Sequence, residues 1–425
     1  MKTSGAAGRL GPVALFDNYW APTLVFARSL GQRGVPLHIY GDGAARWSRF
    51  RSRHLRCPPV EEADQFLPWL RQRVRCGDIS RVAPTTDLIA YYVSKLREEF
   101  PAEVQRAITP LAEIETALIK PRFSAACTAV GQKVPPTHSP ENLASAVEAA
   151  QHLGYPLILK PKSHLVVGTA ERGHLIHNEG ELREHFRPYC VAAGQTRLGD
   201  RYPELRWPLL QKYVPSARQR VYSVSGFKDV DGGIITASLS YKREQWPLDV
   251  GTSIVQASYH NDDILQTGLR TVDQLLSCGI FELELLADGS SLTAIDLNPR
   301  AYGFIALDVA RGHDYPWLWY QSSYAALAPV TPPPPSALEA RHVALYLLRR
   351  AVRWQLSGFR TPRTERRDPQ RRRAWISMLG SWSDPLPSFI AQAMILRNPR
   401  SLVKSQFSTA REELARQSNA PTAAD

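Results

Sequence analysis

The chain has 425 residues, of which 44% are apolar and 22% are charged, so it is long enough for two or three packed domains and too apolar for a disordered protein. Its net charge of +12 suits anionic ligands such as nucleotides, acidic substrates or membrane surfaces. No zinc-ligand, helix-turn-helix or RNA-binding signature accompanies that charge, so nucleic acid is not an expected partner.

The first 115 residues alternate strands and helices in the way that predicts a parallel sheet. The predicted elements are a strand at 12–17 (PVALFD), a helix at 21–34 (APTLVFARSLGQRG), a strand at 35–41 (VPLHIYG), a helix at 63–77 (ADQFLPWLRQRVRCG) and a strand end at 81–87 (RVAPTTD). This pattern predicts a small doubly wound domain. Because no GxGxxG follows the first strand, a dinucleotide site has no support.

The middle of the chain mixes helices with strands and hairpins. The predicted elements are a helix from 118 closed by Gly131, an alanine-rich helix at 141–154, a strand at 155–163 (YPLILKPKS), a strand at 207–215 (WPLLQKYVP), a hairpin at 220–244 joined at DVDGG, an amphipathic helix at 262–279 and a second hairpin at 280–300 joined at ADGSS.

From about residue 330 the composition changes. The run APVTPPPPSA (328–337) predicts a linker, and a basic region with helical patches follows it. The arginine-rich segment at 360–375 is expected to be a solvated face, the alternative being a contact with a phosphorylated carrier or an anionic membrane. FIAQAMIL (389–396) predicts a packed helix rather than a surface anchor, and the last ten residues are expected to be disordered.

The cysteines and the apolar runs indicate the compartment. Five scattered cysteines without a CxxC pair predict reduced thiols in a cytoplasmic protein. The N-terminal apolar run is too short and too broken for a signal peptide. No stretch approaches the roughly 20 apolar residues that a membrane span needs.

Oxygen-bearing side chains alternate on the two strands of the second hairpin. Glu282 and Glu284 lie on FELELL, while Asp296 and Asn298 lie on the strand that ends before Arg300. Alternate residues share a face and antiparallel neighbours lie close, so these groups predict an oxygen-only cage suited to Mg²⁺. Glu282 is expected to support the ligands rather than to bind metal, and the alternative for the whole set is a surface hairpin with salt bridges.

Lysines upstream could supply phosphate contacts. Lys160 and Lys162 end a predicted strand, and Lys120 stands near a helix start. An ammonium group binds phosphate oxygens as a point charge. The alternative for the pair is an ordinary solvated strand end.

Five segments in order between about residues 12 and 321 resemble the ATP-grasp superfamily of carboxylate–amine ligases. They are the N-terminal βαβ region, the lysine-bearing IKPRFSAACTAVGQKVPPT (119–137), the strand YPLILKPKS (155–163), the hinge strand LLQKYVP (209–215) and the hairpin FELELLADGSSLTAIDLNPR (281–300). Within the superfamily the chain looks most similar to bacterial ATP-dependent carboligases that include the D-aspartate ligases, on the cues SRFRSRHLRCPP, KREQWPLDVGTS and SDPLP.

The resemblance implies a site for ATP and Mg²⁺, with Mn²⁺ able to replace magnesium. The implied roles are phosphate binding for Lys120, Lys160 and Lys162, adenine contact for the hinge residues Gln211, Lys212, Tyr213 and Val214, metal binding for Glu284, Asp296 and Asn298, and catalysis for Lys160 and Arg300. Lys242 or Arg243 is implied to face the phosphates as well.

The chain departs from the family pattern at three places. The loop after Lys160 is usually glycine-rich, but here it has only Gly168 and Gly173. Lys212 stands where the hinge usually carries an acid, which puts ribose recognition in question. Asp296 replaces a more usual glutamate and remains an oxygen ligand.

The resemblance implies an α/β protein whose grasp lobes are α+β. The implied domains are an N-terminal doubly wound pre-ATP-grasp domain (1–115), an ATP-grasp domain (116–330) with a central lobe at about 140–208 and a C-terminal lobe at about 209–330, and a proline-rich linker with a basic C-terminal extension (331–425).

The implied activity is an ATP-dependent ligase that activates a carboxylate as an acyl phosphate and joins it to an amine, releasing ADP and phosphate. Both substrates would be small, amino acid-like molecules. One alternative is a degenerate nucleotide-binding scaffold or regulator without turnover, motivated by the altered loop and Lys212. Another is a membrane-surface or nucleic-acid interaction protein, motivated by the basic C-terminal region.

Overall fold

The structure is a computed structural model. It describes residues 11–17, 20–167, 173–194, 198–215, 221–246, 251–331, 333–334, 336–356 and 373–396. The loop after Lys160, the segment 247–250, most of the arginine-rich run and the C-terminal tail therefore lie partly or wholly outside the described residues. No helix in the described ranges is long and apolar enough to cross a bilayer.

A three-stranded parallel sheet forms near the N-terminus. Its strands, in spatial order, are β1 (Val13–Phe16), β2 (Leu37–Tyr40) and β3 (Arg53–Leu55). Helix α1 (Trp20–Gly31) connects β1 to β2, which confirms the predicted βαβ unit. Val82 forms an isolated parallel bridge to Ala14, so the predicted strand end at 81–87 contributes one residue to the ladder.

Five further helices follow in the first third of the chain. They are α2 (Ala63–Arg75), α3 (Asp87–Lys95), α4 (Ala102–Gln105), α5 (Leu111–Leu118) and α6 (Lys120–Ala129). Thr86 caps α3 by accepting a hydrogen bond from the backbone of Ile89, so Asp87 is the first residue of that helix. Gly131, with a φ of 76°, follows α6 where the sequence predicts the helix to close.

A four-stranded antiparallel sheet forms the central part. Its strands are β4 (Thr137–His138), β5 (Leu157–Lys160), β6 (His174–Ile176) and β7 (Leu209–Lys212), in the order β4-β7-β5-β6. The associated helices are α7 (Leu143–Leu153), α8 (His164–Val167), α9 (Glu179–Gly194) and α10 (Leu198–Arg201). The alanines of α7 let it approach the sheet closely, and a small apolar core forms between them.

A seven-stranded sheet forms the largest layer. Its strands are β8 (Val221–Asp229), β9 (Gly233–Trp246), β10 (Thr252–Ser258), β11 (Gly279–Asp288), β12 (Ser291–Asn298), β13 (Leu338–Arg341) and β14 (Ala374–Ser377), in the order β12-β11-β8-β9-β10-β13-β14. Helices α11 (Asp262–Leu275), α12 (Ile305–Ala310) and α13 (Tyr315–Ser322) accompany it. Both predicted hairpins are present, as β8–β9 and β11–β12.

Residues beyond 330 take part in this architecture. β13 pairs with β10, and β14 pairs in parallel with β13, so two strands of the large sheet come from the region predicted as a linker and extension. Two more helices lie there, α14 (Val343–Leu356) and α15 (Pro385–Ile395). The described part of this region thus extends the sheet, and the domain boundaries implied by the resemblance stay predictions.

A buried ion pair fastens α15 to the N-terminal part. Arg28 on α1 lies 3.5 Å from Asp384, and its guanidinium also donates to the carbonyls of Leu379 and Asp384 and to Ser388. The Asp384 carboxylate accepts from Ser48 Oγ and from the backbone nitrogen of Arg49. The two ends of the described chain are therefore packed together.

Candidate active site

The hairpin β11–β12 places four polar side chains in two facing pairs. Glu284 lies directly opposite Asp296, and Glu282 lies directly opposite Asn298. Residues opposite each other in an antiparallel pair project to the same face with Cβ atoms roughly 5 Å apart. The oxygen-bearing groups that alternate in the sequence therefore meet on one face of the large sheet.

Each carboxylate of the first facing pair is held by a lysine from another element. Lys120, the first residue of α6, places its Nζ 2.7 Å from Asp296 Oδ1. Lys242 on β9 places its Nζ 2.7 Å from Glu284 Oε1. Lys120 is buried, whereas the Asp296 side chain is 29% exposed, so the lysine depends on this carboxylate for its counter-charge.

The ion pairs shift the pKa values of Asp296 and Lys242. Burial favours the neutral form of Asp296, but the Lys120 ammonium outweighs burial and holds the pKa of Asp296 well below its usual range. Burial likewise opposes the charge on Lys242, but Glu284 outweighs it and raises the pKa of Lys242. Asp296 is therefore held in its carboxylate form and Lys242 in its ammonium form.

Lys160 approaches the same cluster from the small sheet. It ends β5, and its Nζ donates to Gln211 Oε1 on the neighbouring strand β7 over 2.9 Å. Burial first, and then the Lys120 ammonium, lower the pKa of Lys160 to about 7, while Asp296 and Glu284 act in the opposite direction. The charges of both sheets are therefore close enough to influence each other.

A backbone hydrogen bond ties the two sheets together at this point. The nitrogen of Lys120 donates to the carbonyl of Lys162 over 2.8 Å, so the start of α6 is fixed against the end of β5. The first residue of α6 thus makes two contacts: the side chain of Lys120 binds Asp296 on the large sheet, and its backbone nitrogen binds the segment that follows β5. The site lies between the two sheets.

Arg300 is held at the end of β12 by two acceptors. Its Nε lies 2.6 Å from Asp87 Oδ1, and its Nη2 donates to Asn298 Oδ1 over 2.9 Å. Asn298 in turn donates from Nδ2 to Glu282 Oε2 over 2.6 Å. This chain of contacts orients the Asn298 amide, and Arg300 outweighs burial to lower the pKa of Asp87.

Comparisons with known proteins identify this architecture. No protein-family model matches the chain. The chain is 25% identical over 200 residues to the carbamoyl phosphate synthase large chain of Pyrococcus furiosus, covering 45% of this chain and 18% of that protein. It is 25% identical over 182 residues to the formate-dependent phosphoribosylglycinamide formyltransferase of Sulfurisphaera tokodaii, covering 40% of this chain and 42% of that protein. The matches span less than half the length of either relative.

Two solved structures superpose over most of the chain. The biotin carboxylase of Campylobacter jejuni in its β,γ-ATP complex gives a TM-score of 0.58 at 14% identity, covering 74% of this chain and 71% of that one. The L-amino acid ligase of Bacillus licheniformis gives a TM-score of 0.57 at 16% identity, covering 75% and 76%. The chain has the ATP-grasp fold. This confirms the fold class that the sequence motifs imply.

The other residues for which the sequence predicts ligand contacts have partners outside the charge cluster, which we define as Lys120, Lys160, Lys242, Glu284 and Asp296. Lys162 is buried and donates to the carbonyl of Glu204, so its ammonium is engaged by the backbone. Lys212 donates to the carbonyl of Gly154. Tyr213 is buried, and Val214 packs with it in a small apolar cluster beside β7. The backbone nitrogens of Lys212 and Tyr213 donate to the carbonyls of Pro136 and Pro156, and the adenine contact implied for the hinge stays a prediction.

Lys242 and Arg243, the two residues of which either was implied to face the phosphates, have different partners. The Nη1 of Arg243 lies 2.6 Å from Glu339 on the other side of the sheet, whereas Lys242 reaches Glu284, so the phosphate contact of Arg243 stays a prediction. Lys242 shares its face with Ser240, which is opposite Ser223 and hence in line with Glu284, and this alignment depends on the register shift between Phe227 and Lys228. Nothing in the sequence indicated that Asp87, the partner of Arg300, belongs to the site, apart from its position at the end of a predicted strand.

The donor set on this face of the large sheet fits a hard cation. Glu284, Asp296 and Asn298 offer two carboxylates and an amide oxygen, the ligand chemistry that Mg²⁺ prefers. Glu282 Oε1 is buried and has no hydrogen-bond partner among the described residues, and burial together with Glu284 raises the pKa of that acid to about 8. No group of three or more His, Cys, Asp or Glu in the described ranges is arranged as a metal site, since the third donor here is an asparagine.

Proposed function

We propose that this protein is an ATP-dependent ligase that activates a substrate carboxylate as an acyl phosphate and joins it to an amine, releasing ADP and phosphate. One observation carries the proposal. Lysines from α6, β5 and β9 converge with the carboxylates of β11 and β12 between the two sheets. Cations from several elements around paired acids are what transfer of a phosphoryl group between anions requires.

The two ion pairs would be exchanged when substrates bind. Lys120 and Lys242 now neutralise Asp296 and Glu284. Phosphate oxygens would then take the place of the carboxylates as partners of the two lysines, and Glu284 and Asp296 would be left to hold the cation that accompanies the nucleotide. The lysines would then bind phosphate oxygens, together with Lys160.

Magnesium held by Glu284, Asp296 and Asn298 would supply Lewis-acid stabilisation of charge on the phosphate oxygens. The chain's own residues do the positioning. Lys160 and Lys120 hold the phosphate that is transferred, and Arg300 lies where a cation can stabilise the oxyanion that forms when the amine attacks. Asp87 and Asn298 fix the direction of the Arg300 guanidinium. Exclusion of water protects the acyl phosphate from hydrolysis.

The substrate class follows from the same reasoning and from the relatives. We infer small, amino acid-like carboxylates and amines, supported by the fold shared with an L-amino acid ligase. We also infer a cytoplasmic protein, because all five cysteines are free thiols in the structure.

The test is a screen for phosphate release over pairs of carboxylates and amino acids with Mg²⁺ and ATP. The proposal expects ADP and phosphate to appear together only when both substrates are present, and Glu284→Gln and Lys160→Ala to reduce the rate about 100-fold or more. AMP and pyrophosphate as products would contradict the acyl phosphate. Tight ATP binding without turnover over the whole panel would favour the alternative, a nucleotide-binding regulator.

A further inference from the structure

An apolar helix face is exposed at the C-terminal end of the described chain. Leu386, Phe389, Ala393 and Leu396 follow one another at intervals of three and four residues, so they share one face of α15, and all are exposed. Trp382, just before the helix, is 96% exposed, and Phe389 is 66% exposed. We call these five residues the α15 face.

The α15 face is rigidly presented because the opposite side of the helix is buried. Ala391 is fully buried, and Ile390 and Ile395 pack against the main core. Ser388 accepts a hydrogen bond from Arg28, and Asp384 at the start of the helix is anchored as described above. The exposed apolar side chains are therefore a stable feature of the fold, since the helix cannot rotate without breaking a buried ion pair.

Two arginines of one neighbouring segment lie near the start of the α15 face. Arg49, which is exposed, donates its backbone nitrogen to Asp384 and so lies beside the start of the helix. On the same segment, Arg46 stacks on the exposed ring of Trp47, with 5.3 Å from its guanidinium carbon to the ring centroid, and pairs with Asp42. No charged residue lies within α15 itself, and the one acid at its start, Asp384, is buried and paired.

The sequence on both sides of this helix adds to the positive charge. Residues 360–373 contain seven arginines against two acids, and residues 397–404 contain three cations and no acid. An exposed tryptophan, phenylalanine and leucines in a strongly basic chain have the chemistry of an interfacial anchor on an anionic bilayer, where apolar groups enter the headgroup region and cations meet acidic lipids.

We propose that the α15 face docks the protein on the surface of an anionic phospholipid bilayer. The contact is peripheral, and it is independent of the proposed ligase reaction because none of its residues belongs to the charge cluster between the two sheets. It revises the expectation that FIAQAMIL is simply a packed helix: one side of that segment packs, and the other is the docking surface.

The test is sedimentation of the full chain with vesicles of phosphatidylcholine alone or with 30% phosphatidylglycerol. We expect binding to the anionic vesicles, weak binding to the neutral ones, and a loss of about tenfold in the partition coefficient for Phe389→Glu. Arg49→Glu should weaken binding to the anionic vesicles as well. Val330→Glu is the matched control, because Val330 is also exposed and apolar but lies outside the α15 face, and it should bind like the parent.

Three results would overturn the proposal. The first is no binding to anionic vesicles, and the second is binding that Phe389→Glu leaves unchanged, which would assign it to the basic segments alone. The third is an absence of vesicle binding together with a change in sedimentation coefficient of the lipid-free protein on Phe389→Glu, which would show that the face joins two copies of the chain. Phosphate release should be the same for the parent and Phe389→Glu, so failure here is distinct from failure of the ligase proposal.

Discussion

Lys120 and Asp296 form an ion pair of 2.7 Å that joins the first residue of α6 to β12, across 176 positions of sequence. The pair links the part of the chain that contacts the small sheet to the large sheet. It also neutralises a carboxylate that we propose as a metal ligand. Substitutions of Lys120 and Asp296 should therefore affect stability and activity differently.

Asp296→Asn should lower the free energy of unfolding by about 2 kcal/mol, because Lys120 is left buried without its counter-charge. Urea denaturation measures this. Asp273→Asn is the control, since Asp273 also lies 2.7 Å from a lysine, Lys228, but is largely exposed and should matter by less than about 1 kcal/mol. Adding Lys120→Met to Asp296→Asn should recover stability without recovering phosphate release, and recovery of both would contradict a role for the pair in catalysis.

Substitutions at the adjacent residues Lys242 and Arg243 should affect different properties, namely nucleotide binding for Lys242 and thermal stability for Arg243. Lys242→Met removes the partner of Glu284 and a proposed phosphate contact, so the KM for ATP should rise about tenfold or more. Arg243→Met removes a partner of the buried Glu339, so it should lower the melting temperature and leave the KM nearly unchanged. Steady-state kinetics and thermal unfolding of both variants decide this, and the reverse pattern would place Arg243 in the site.

Nucleotide affinity should fall as the pH rises through 7. Burial and Lys120 lower the pKa of Lys160 to about 7, so its ammonium form, which binds phosphate, is lost above that pH. If only this form binds, the affinity falls about fivefold between pH 7 and pH 8. Titration calorimetry with MgADP measures the slope. Lys160→Arg should remove it, because a guanidinium stays charged over this range, and an equal slope in the parent and the arginine variant would exclude Lys160 as the source.

The contact between Arg28 and Asp384 predicts that the C-terminal segment is part of the folded core. Asp384→Ala should lower the free energy of unfolding by about 3 kcal/mol or more, because it leaves a buried guanidinium unpaired. Asp42→Ala is the control, since its pair with Arg46 is exposed and should contribute little. Equal stability of the two variants in urea would mean that α15 is only loosely attached.

Short-range patterns predicted those parts of the protein whose partners are close in sequence. The βαβ unit and the hairpins could be predicted because turn residues and alternation fix the pairing of neighbouring strands. Glu284 and Asp296 belong to one such hairpin, so their closeness could be predicted, but the exact register could not, because a shift between Glu284 and Leu285 is what brings Asp296 opposite Glu284. The face of Lys242 could not be counted from the DVDGG turn, because the register of β8 against β9 shifts between Phe227 and Lys228.

Contacts between distant segments could not be predicted in the same way. β13 and β14 are four residues each, and nothing in LEAR or AWIS indicates that they pair in parallel at the edge of the large sheet. Asp87 meets Arg300 across 213 positions, and Lys162, which looks like a phosphate ligand in sequence, is buried and donates to the Glu204 carbonyl. These outcomes depend on how three sheets pack, which no local pattern specifies.

The most direct test of the central claim is transfer of isotopic oxygen, using a carboxylate substrate found by the screen and labelled with ¹⁸O in both oxygens. An acyl phosphate leaves one carboxylate oxygen on the phosphate when the amine attacks. We therefore predict one ¹⁸O atom per released phosphate by mass spectrometry, and loss of that signal with Glu284→Gln. Unlabelled phosphate from the parent enzyme during amide formation would contradict the account.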